Sequence, residues 1–430
     1  MSLSERIYTG ALHVGRPLLP LLARGDGKLA RGVRGRAGVL ERMEAWAREH
    51  RDPARPLAWF HAPSVGEGLQ ARAVVEVFRA RRPDAQVVYT FFSPSAARFA
   101  ATVPADFADY LPMDFPADVD RALDLLRPSL IAFSKTDVWP NLAERAARRG
   151  VLLALLSATL PAGSSRLSGP ARFFLAPAYR RLDRVAAISP ADADRFAALG
   201  VPEERRSVMG DARFDQVWHG AAVADRSAPS VAPLLQPGPP VLVAGSTWPA
   251  DEERLLPAVA TCRDGLNPVR LVLVPHEPTE AHLRASEAAL DGLGLHHVRL
   301  SAALAREVAM RDVLLVDRVG ILGELYAAAD VAYVGGGFGT AGIHSVLEPA
   351  AFGAPVLFGP RHANAREAAE LVAAGGAFAE PDEAALAARI HLLATDRVLR
   401  GTSGASARAY VAAGLGAADR GAEIVAELLA

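Results

Sequence analysis

The chain has one cysteine, two lysines and almost no net charge, and each shortage narrows what it can be. Cys262 alone can form neither an intrachain disulfide nor a cysteine-cluster metal site, which suits a reducing compartment. Lys28 and Lys135 are the only lysines, so arginine carries most of the positive charge, a bias that says little about function. A formal net charge of -1 over 430 residues gives no global attraction to nucleic acid, and no nucleic-acid partner is expected. The leucine-rich start is broken by Gly15, Arg16, Pro17 and Pro20, leaving no apolar run suited to a spanning helix or a signal peptide. No His/Cys cluster has zinc spacing, no D-x-D-like pair ends a strand in the second half, and no G-x-G-x-x-G follows a first strand. Neither a tightly held metal nor a dinucleotide oxidoreductase is therefore expected.

What is present describes a large α/β protein. Hydrophobic residues at 51% with 22% charged exclude a largely disordered chain, and the length predicts two domains with full cores. Strand-length apolar runs at 57–60, 87–92, 130–134, 151–156 and 184–188 alternate with helical patterns; after a proline-rich passage at 229–240 the alternation resumes at 241–245, 270–274, 313–316, 331–334 and 355–358. This pattern predicts two Rossmann-like domains facing a cleft, the α/β architecture called GT-B. The expected boundaries are a first domain over 1–228, a linker over 229–240, a second domain over 241–403, and a terminal helix over 404–430 that could pack back on the first domain.

Two turns carry candidate chemistry. In YVGGGFGTAGIHSVLEPAAFGAPVLFGP, residues 333–360, a glycine-rich turn separates a strand from an expected helix. Gly335, Gly336, Gly337 and Gly339 permit positive φ and close ligand approach, and the amides opening the helix would suit a phosphate. His344 and Glu348 lie four apart, which on that helix would put both on one face, where the carboxylate could accept from sugar hydroxyls. The alternative is a tight βα turn with His344 as a packed residue. In the first half, His61-Ala62-Pro63-Ser64-Val65-Gly66-Glu67-Gly68 runs from a strand toward a helix expected near Leu69. Ligands of open α/β sheets bind beyond the carboxyl ends of strands, so Glu67 could take a proton from an acceptor hydroxyl; alternatively it is an acidic first-turn residue favoured by the helix dipole.

The N-terminus mixes Ile7, Tyr8, Leu12, Val14, Leu18, Leu19, Leu21 and Leu22 with Arg6, Arg16, Arg24, Lys28, Arg31, Arg34 and Arg36. Cations beside apolar residues are the pattern of an interfacial membrane segment, and equally of an amphipathic helix with a solvated arginine face.

HAPSVGE at 61–67, TFFSPSA at 90–96, YLPMDFP at 110–116, WPN at 139–141, GDARFD at 210–215, EPAAFG at 348–353 and FGP at 358–360 together resemble the 3-deoxy-D-manno-octulosonic acid (Kdo) transferases of lipopolysaccharide synthesis. The resemblance implies a glycosyltransferase that moves Kdo from CMP-Kdo, its donor substrate, to a lipid A precursor at the cytoplasmic face of the bacterial inner membrane, as a peripheral protein with no cofactor. It implies Glu67 as base, with Ser64, Val65 and Gly66 as the adjoining acceptor-side loop. Val319, Gly320 and Ile321 would meet the cytosine, Gly335 to Gly337, Gly342, His344 and Ser345 the phosphate and ribose side, and Glu348 the ribose. His276 stands where the family commonly has an arginine near the phosphate, and Ser345 where many relatives have asparagine. Lys135 and Asp137 depart from the usual E-T-E; Lys135 could meet the Kdo carboxylate or an acceptor phosphate, or be solvated or paired with Asp137. A UDP-sugar transferase, a GT-B-fold sugar epimerase and a non-catalytic binding protein remain open on the sequence.

Overall fold

The computed structural model describes residues 2–264, 269–306 and 312–430. Among these, two compact units form. One runs to Gln216 and takes in Gly414–Ala430; the other is Val217–Ala413. The first holds a seven-stranded sheet of β1 (Leu57–His61), β2 (Gln86–Phe91), β3 (Phe107–Tyr110), β4 (Leu130–Ser134), β5 (Leu152–Ala158), β6 (Arg184–Ala187) and β7 (Arg206–Val208). The second holds β8 (Val241–Thr247), β9 (Arg270–Pro275), β10 (His297–Arg299), β11 (Val313–Leu315), β12 (Val331–Val334), β13 (Val356–Phe358) and β14 (Ala377–Ala379). The spatial orders are β3-β2-β1-β4-β5-β6-β7 and β10-β11-β9-β8-β12-β13-β14, and pairing is parallel throughout. The strand order reverses between β1 and β4 in one sheet and between β8 and β12 in the other. Those two reversals open the crevices where α/β sheets bind ligands.

The central strands are nearly uniformly apolar, as strands covered by helices on both faces of a sheet are. On one face of the first sheet Trp59, Ile131, Phe133, Leu153 and Leu155 join one core; the alternate residues Ala58, Phe60, Ala132, Ala154 and Leu156 join another. Fully burying such a side chain stabilises by about 1.5–3 kcal/mol, so Phe133→Ala would cost about 3–5 kcal/mol once the cavity is included.

The expected domain limits need correction. The 229–240 passage is no free linker: Val231 and Leu234 are buried in a core with Val241, Val243 and Val272, so it belongs to the second unit. The first division falls inside the Arg213–Val223 helix, upstream of 228. Nor is 404–430 one element, because Arg397–Ala413 is a helix of the second unit and Ala417–Leu428 a separate helix of the first. Between them Gly416 takes φ +88, and Asp215 accepts from the Gly416 and Ala418 amides at 2.7 and 3.0 Å. Ala417, Ala418, Ala422 and Val425 then pack with Val74, Val75 and Phe78 of the Val65–Arg81 helix.

Candidate active site

At the β1/β4 reversal, the residues after the two strands meet. The helix begins at Val65, with Ser64 as its N-cap in extended backbone, so Glu67 stands in the first turn, earlier than a start near Leu69 implied. Lys135 directly follows β4, and its Nζ donates to Glu67 Oε1 at 3.0 Å; the Ser64 hydroxyl donates to Glu67 Oε2. Burial pushes the Glu67 carboxyl up, but the Ser64 hydrogen bond and the Lys135 charge outweigh it and hold the group below the usual glutamate value. The result is a carboxylate kept ionised at a strand's carboxyl end. Gly66 beside it is exposed, and a Cβ there would meet only the Ser64 hydroxyl, at 3.9 Å.

Lys135 holds φ +65, a left-handed backbone that costs a non-glycine residue of order 1–3 kcal/mol. Two backbone bonds to the end of β5 hold it there, Lys135 N to Leu156 O at 2.9 Å and Thr159 N to Lys135 O at 3.2 Å. Lys135 therefore pairs with Glu67, and Asp137 pairs instead with Arg166 at 3.0 Å. Burial, opposed by Arg166, raises the Asp137 carboxyl.

Beneath this loop lies a polar network that the motifs alone did not reveal. Trp139 Nε1 donates to His61 Nε2 at 3.1 Å, His61 Nδ1 meets Thr90 Oγ1 at 3.1 Å, and Trp59 Nε1 donates to that same hydroxyl at 2.8 Å. The indole can only donate, so His61 Nε2 is an acceptor and the ring is neutral with its proton on Nδ1. Complete burial holds His61 down at about 3, in keeping with that state. Asp114 accepts from the Asn141 and Leu142 amides, both at 2.9 Å, and so caps the Pro140–Arg148 helix that follows Trp139. The signal available in sequence was the pair YLPMDFP and WPN, whose shared role is this cap.

At the β8/β12 reversal the second unit gathers Trp248 after β8, His276 after β9 and the loop after β12. One correction concerns that loop. The helix expected from Gly342 starts only at Leu347 and ends at Ala351, so His344 and Ser345 precede it and His344 shares no helix face with Glu348. Pro349 supplies the reason: proline lacks the amide that a helix interior needs and is tolerated in the first turn, which forces a late start. The glycines are also more structural than expected. A Cβ on Gly335 would overlap the Ser246 carbonyl, one on Gly336 the Gly342 carbonyl, and one on Gly337 would lie 2.5 Å from Gly359 N. Gly342, at φ +76, packs against Asn364, whose amide brackets Ile343 at 3.1 and 2.9 Å.

Asp251, buried, holds the loop. Its carboxylate accepts from Gly336 N at 2.7 Å, Phe338 N at 3.3 Å, Trp248 N at 3.0 Å and Tyr333 Oη at 2.9 Å. With the Ile343 amide on Asn364 and the His344 amide on Gly335 O, the loop keeps fewer donors for a phosphate than its glycines suggest. Burial raises the Glu348 carboxyl. His276 and Val319 share an open pocket of ≈ 590 Å³ with Glu277, Pro278, Thr279, Asp317 and Arg318; Gly320, at φ +91, and Ile321 continue from it. Among the described residues no group of three or more His, Cys, Asp or Glu could hold a metal.

Known proteins match this architecture. A family model described as 3-Deoxy-D-manno-octulosonic-acid transferase (kdotransferase) matches residues 34–216, the span carrying Glu67 and Lys135. A Bordetella pertussis 3-deoxy-D-manno-octulosonic acid transferase is 33% identical over 430 residues, covering 96% of this chain and 97% of that one. The chain belongs to the Kdo transferase family. A Haemophilus influenzae member is 27% identical over 360 residues, covering 82% of this chain and 81% of its own. Membership in this family makes the protein a glycosyltransferase. Solved structures give the fold: UDP-GlcNAc 2-epimerase from Neisseria meningitidis superposes with TM-score 0.61 at 13% identity, covering 87% and 99% of the two chains. A Rickettsia africae glycosyltransferase does so with TM-score 0.57 at 11% identity, covering 87% and 99%. The fold is α/β of the GT-B kind.

Proposed function

We propose that the protein transfers Kdo from CMP-Kdo to a hydroxyl of a lipid A precursor with inversion of configuration. The observation that carries the reading is the Glu67 carboxylate, ionised by its partners and placed in the β1/β4 crevice of a Kdo transferase family member. Glu67 takes the proton as the acceptor oxygen bonds to the anomeric carbon, and the CMP phosphate leaves with the electron pair of the broken bond. Lys135 keeps Glu67 deprotonated until the acceptor arrives and then pairs with an acceptor phosphate; Asp137 is held by Arg166 as part of the same loop. In the second unit Val319 to Ile321 take the cytosine and Glu348 the ribose. His276, His344, Ser345 and the backbone from Gly335 to Gly337 and at Gly342 take the phosphate side. Preorganised donors there stabilise the charge developing on the leaving group. The displacement calls on no cofactor, so chelation should leave the rate unchanged.

The N-terminal segment supports work at a membrane surface as a peripheral protein of the cytoplasmic face. Among the described helices none is long and apolar enough to cross a membrane. The Leu3–Gly15 helix turns its polar side inward: Ser4 and Glu5 are buried, Glu5 pairs with Arg181 at 2.5 Å, Tyr8 donates to Asp114 at 3.0 Å and Thr9 to Asn141 at 2.8 Å. Its apolar side is left outside, with Leu3 69% and Val14 79% exposed, and Leu18, Leu21, Leu22 and Leu29 follow. Arg6, Arg16, Arg24, Lys28, Arg31 and Arg34 are exposed around them, each able to gain about 1 kcal/mol at an anionic leaflet. Replacing Leu3, Ile7 and Val14 by serine keeps the anchoring bonds and should abolish flotation with anionic vesicles; unchanged flotation would contradict the assignment.

The direct test of transfer is incubation with CMP-Kdo, generated in situ, and a tetra-acylated lipid A precursor, followed by mass spectrometry of the lipid. Addition of Kdo supports the reading. Transfer from a UDP-sugar instead would reject the donor.

A further inference from the structure

The donor-side reading leaves open how an imidazole replaces a permanent cation beside a phosphate. Trp248, His276 and His344 follow β8, β9 and β12, three adjacent strands, and their rings form one cluster. Trp248 and His344 lie nearly parallel at 14°, with centroids 6.5 Å apart, and the indole Nε1 donates to His344 Nε2 at 3.2 Å. His276 stacks over both, with centroids 4.6 Å from Trp248 and 4.4 Å from His344. The upper ring, His276, is exposed; the two below it are half-buried.

We infer that these three residues form a platform holding a single proton, in which Trp248 is a positioning residue that keeps His344 neutral and so presents a protonated His276 to the phosphate of the donor. This inference rests on the donor-side reading given above. An indole nitrogen only donates, so His344 Nε2 must accept, and a proton there would face the indole N–H and break the bond. Burial lowers the affinity of His344 for a second proton, and a charge on His276 at stacking distance lowers it further, while Asp251 opposes both. Among the described residues, the charged groups that share the pocket with His276 are Glu277, Asp317 and Arg318, with Asp317 already engaged by the amide and hydroxyl of Ser301. Asp251 is saturated by Trp248, Gly336, Phe338 and Tyr333. Donor affinity should thus follow one proton on one identified ring.

The test uses the methyl ester of CMP, a phosphodiester that keeps one charge where a phosphate monoester ionises near pH 6. Its affinity, read by calorimetry, should fall about tenfold between about pH 6 and about pH 8.5, the scale of losing one charge-assisted hydrogen bond. His276→Arg should bind the ester with no such dependence. Ring ¹⁵N spectra of the free protein should show His276 titrating and His344 fixed with its proton on Nδ1, whereas in Trp248→Phe, which keeps a ring but loses the donor, His344 should titrate as well. Ester binding that is flat with pH in the unsubstituted protein, or a doubly protonated His344 where binding is tightest, overturns the inference and leaves the donor-side reading intact. No ester binding at any pH overturns that reading and the phosphate role of His276 with it; the spectra still decide the protonation of the platform.

Discussion

The two ligand-side βα turns are built on opposite plans. After β1 the chain reaches its helix through residues 62–64, and the first turn delivers Glu67 onto Lys135 and Ser64. After β12 it wanders through residues 335–346 before a helix of one turn, and Gly335, Gly336 and Gly337 are crowded by neighbouring backbone. A short turn presents a side chain whose protonation is set by its partners. A long glycine loop is itself the thing that must be held, by Asp251 and Asn364, and its own His344 is joined by Trp248 and His276 from other strands. In the first unit, then, the motif itself carries the candidate carboxylate; in the second the loop is shaped so that its His344 meets Trp248 and His276, which follow β8 and β9.

The sharpest way to break this contrast is Glu67→Gln. It should lower kcat by about 10²–10⁴-fold while CMP affinity is unchanged, since the loss is confined to proton removal. Full turnover in this variant would put the base elsewhere. Next comes a matched pair of glycine substitutions. Gly336→Ala, at φ +101 and against the Gly342 carbonyl, should cost about 1–3 kcal/mol and weaken CMP binding, read by thermal unfolding and calorimetry. Gly66→Ala, in a helix where the new methyl would meet only the Ser64 hydroxyl at ordinary contact distance, should leave Tm unchanged or slightly raised. Equal destabilisation by the two would erase the distinction between the turns.

A subtler probe is the pH profile of Lys135→Met. The Glu67 carboxyl is held below its ordinary value, so kcat/KM is lost only as pH falls through that depressed value. Removing the Lys135 cation lets the carboxyl take its proton at higher pH, and the acid limb should move upward; a limb that stays in place would show that Lys135 does not set the base. A small loss is expected from Tyr8→Phe, which removes one hydrogen bond to Asp114 and should cost about 0.5–1.5 kcal/mol, visible in urea unfolding without change in CMP affinity.

The strands that pack on both faces were readable from composition alone: apolar runs at 57–60, 130–134, 241–245 and 331–334 became β1, β4, β8 and β12. The strands that escaped, β3, β7, β10 and β14, are short, and the residues of β10 are all only half-buried, so their side chains carry little apolar signal. The proline-rich 229–240 stretch reads as a linker by punctuation, yet Val231 and Leu234 bury it, a tertiary effect no local pattern reports. The position of Glu67 was legible, because an acid just beyond a strand and ahead of a helical pattern falls in the turn or the first helical turn, although the Lys135 contact was not. Asp251 and Asn364 were not, because each acts on a loop far away in sequence and nothing near either residue announces the contact. The late helix at Leu347 could have been foreseen from Pro349, had its exclusion from helix interiors been weighed above the spacing of His344 and Glu348.

The most direct measurement compares the unsubstituted protein with Glu67→Gln in one assay: CMP-Kdo generated in situ, a tetra-acylated lipid A precursor, the lipid followed by mass spectrometry, and CMP binding measured on the same samples. Kdo addition by the unsubstituted protein, loss of addition in the variant and equal CMP affinity are the predicted result. Addition at the same rate by Glu67→Gln, or no addition by either protein with CMP bound, would contradict the assignment of Glu67 as the base of Kdo transfer to this acceptor.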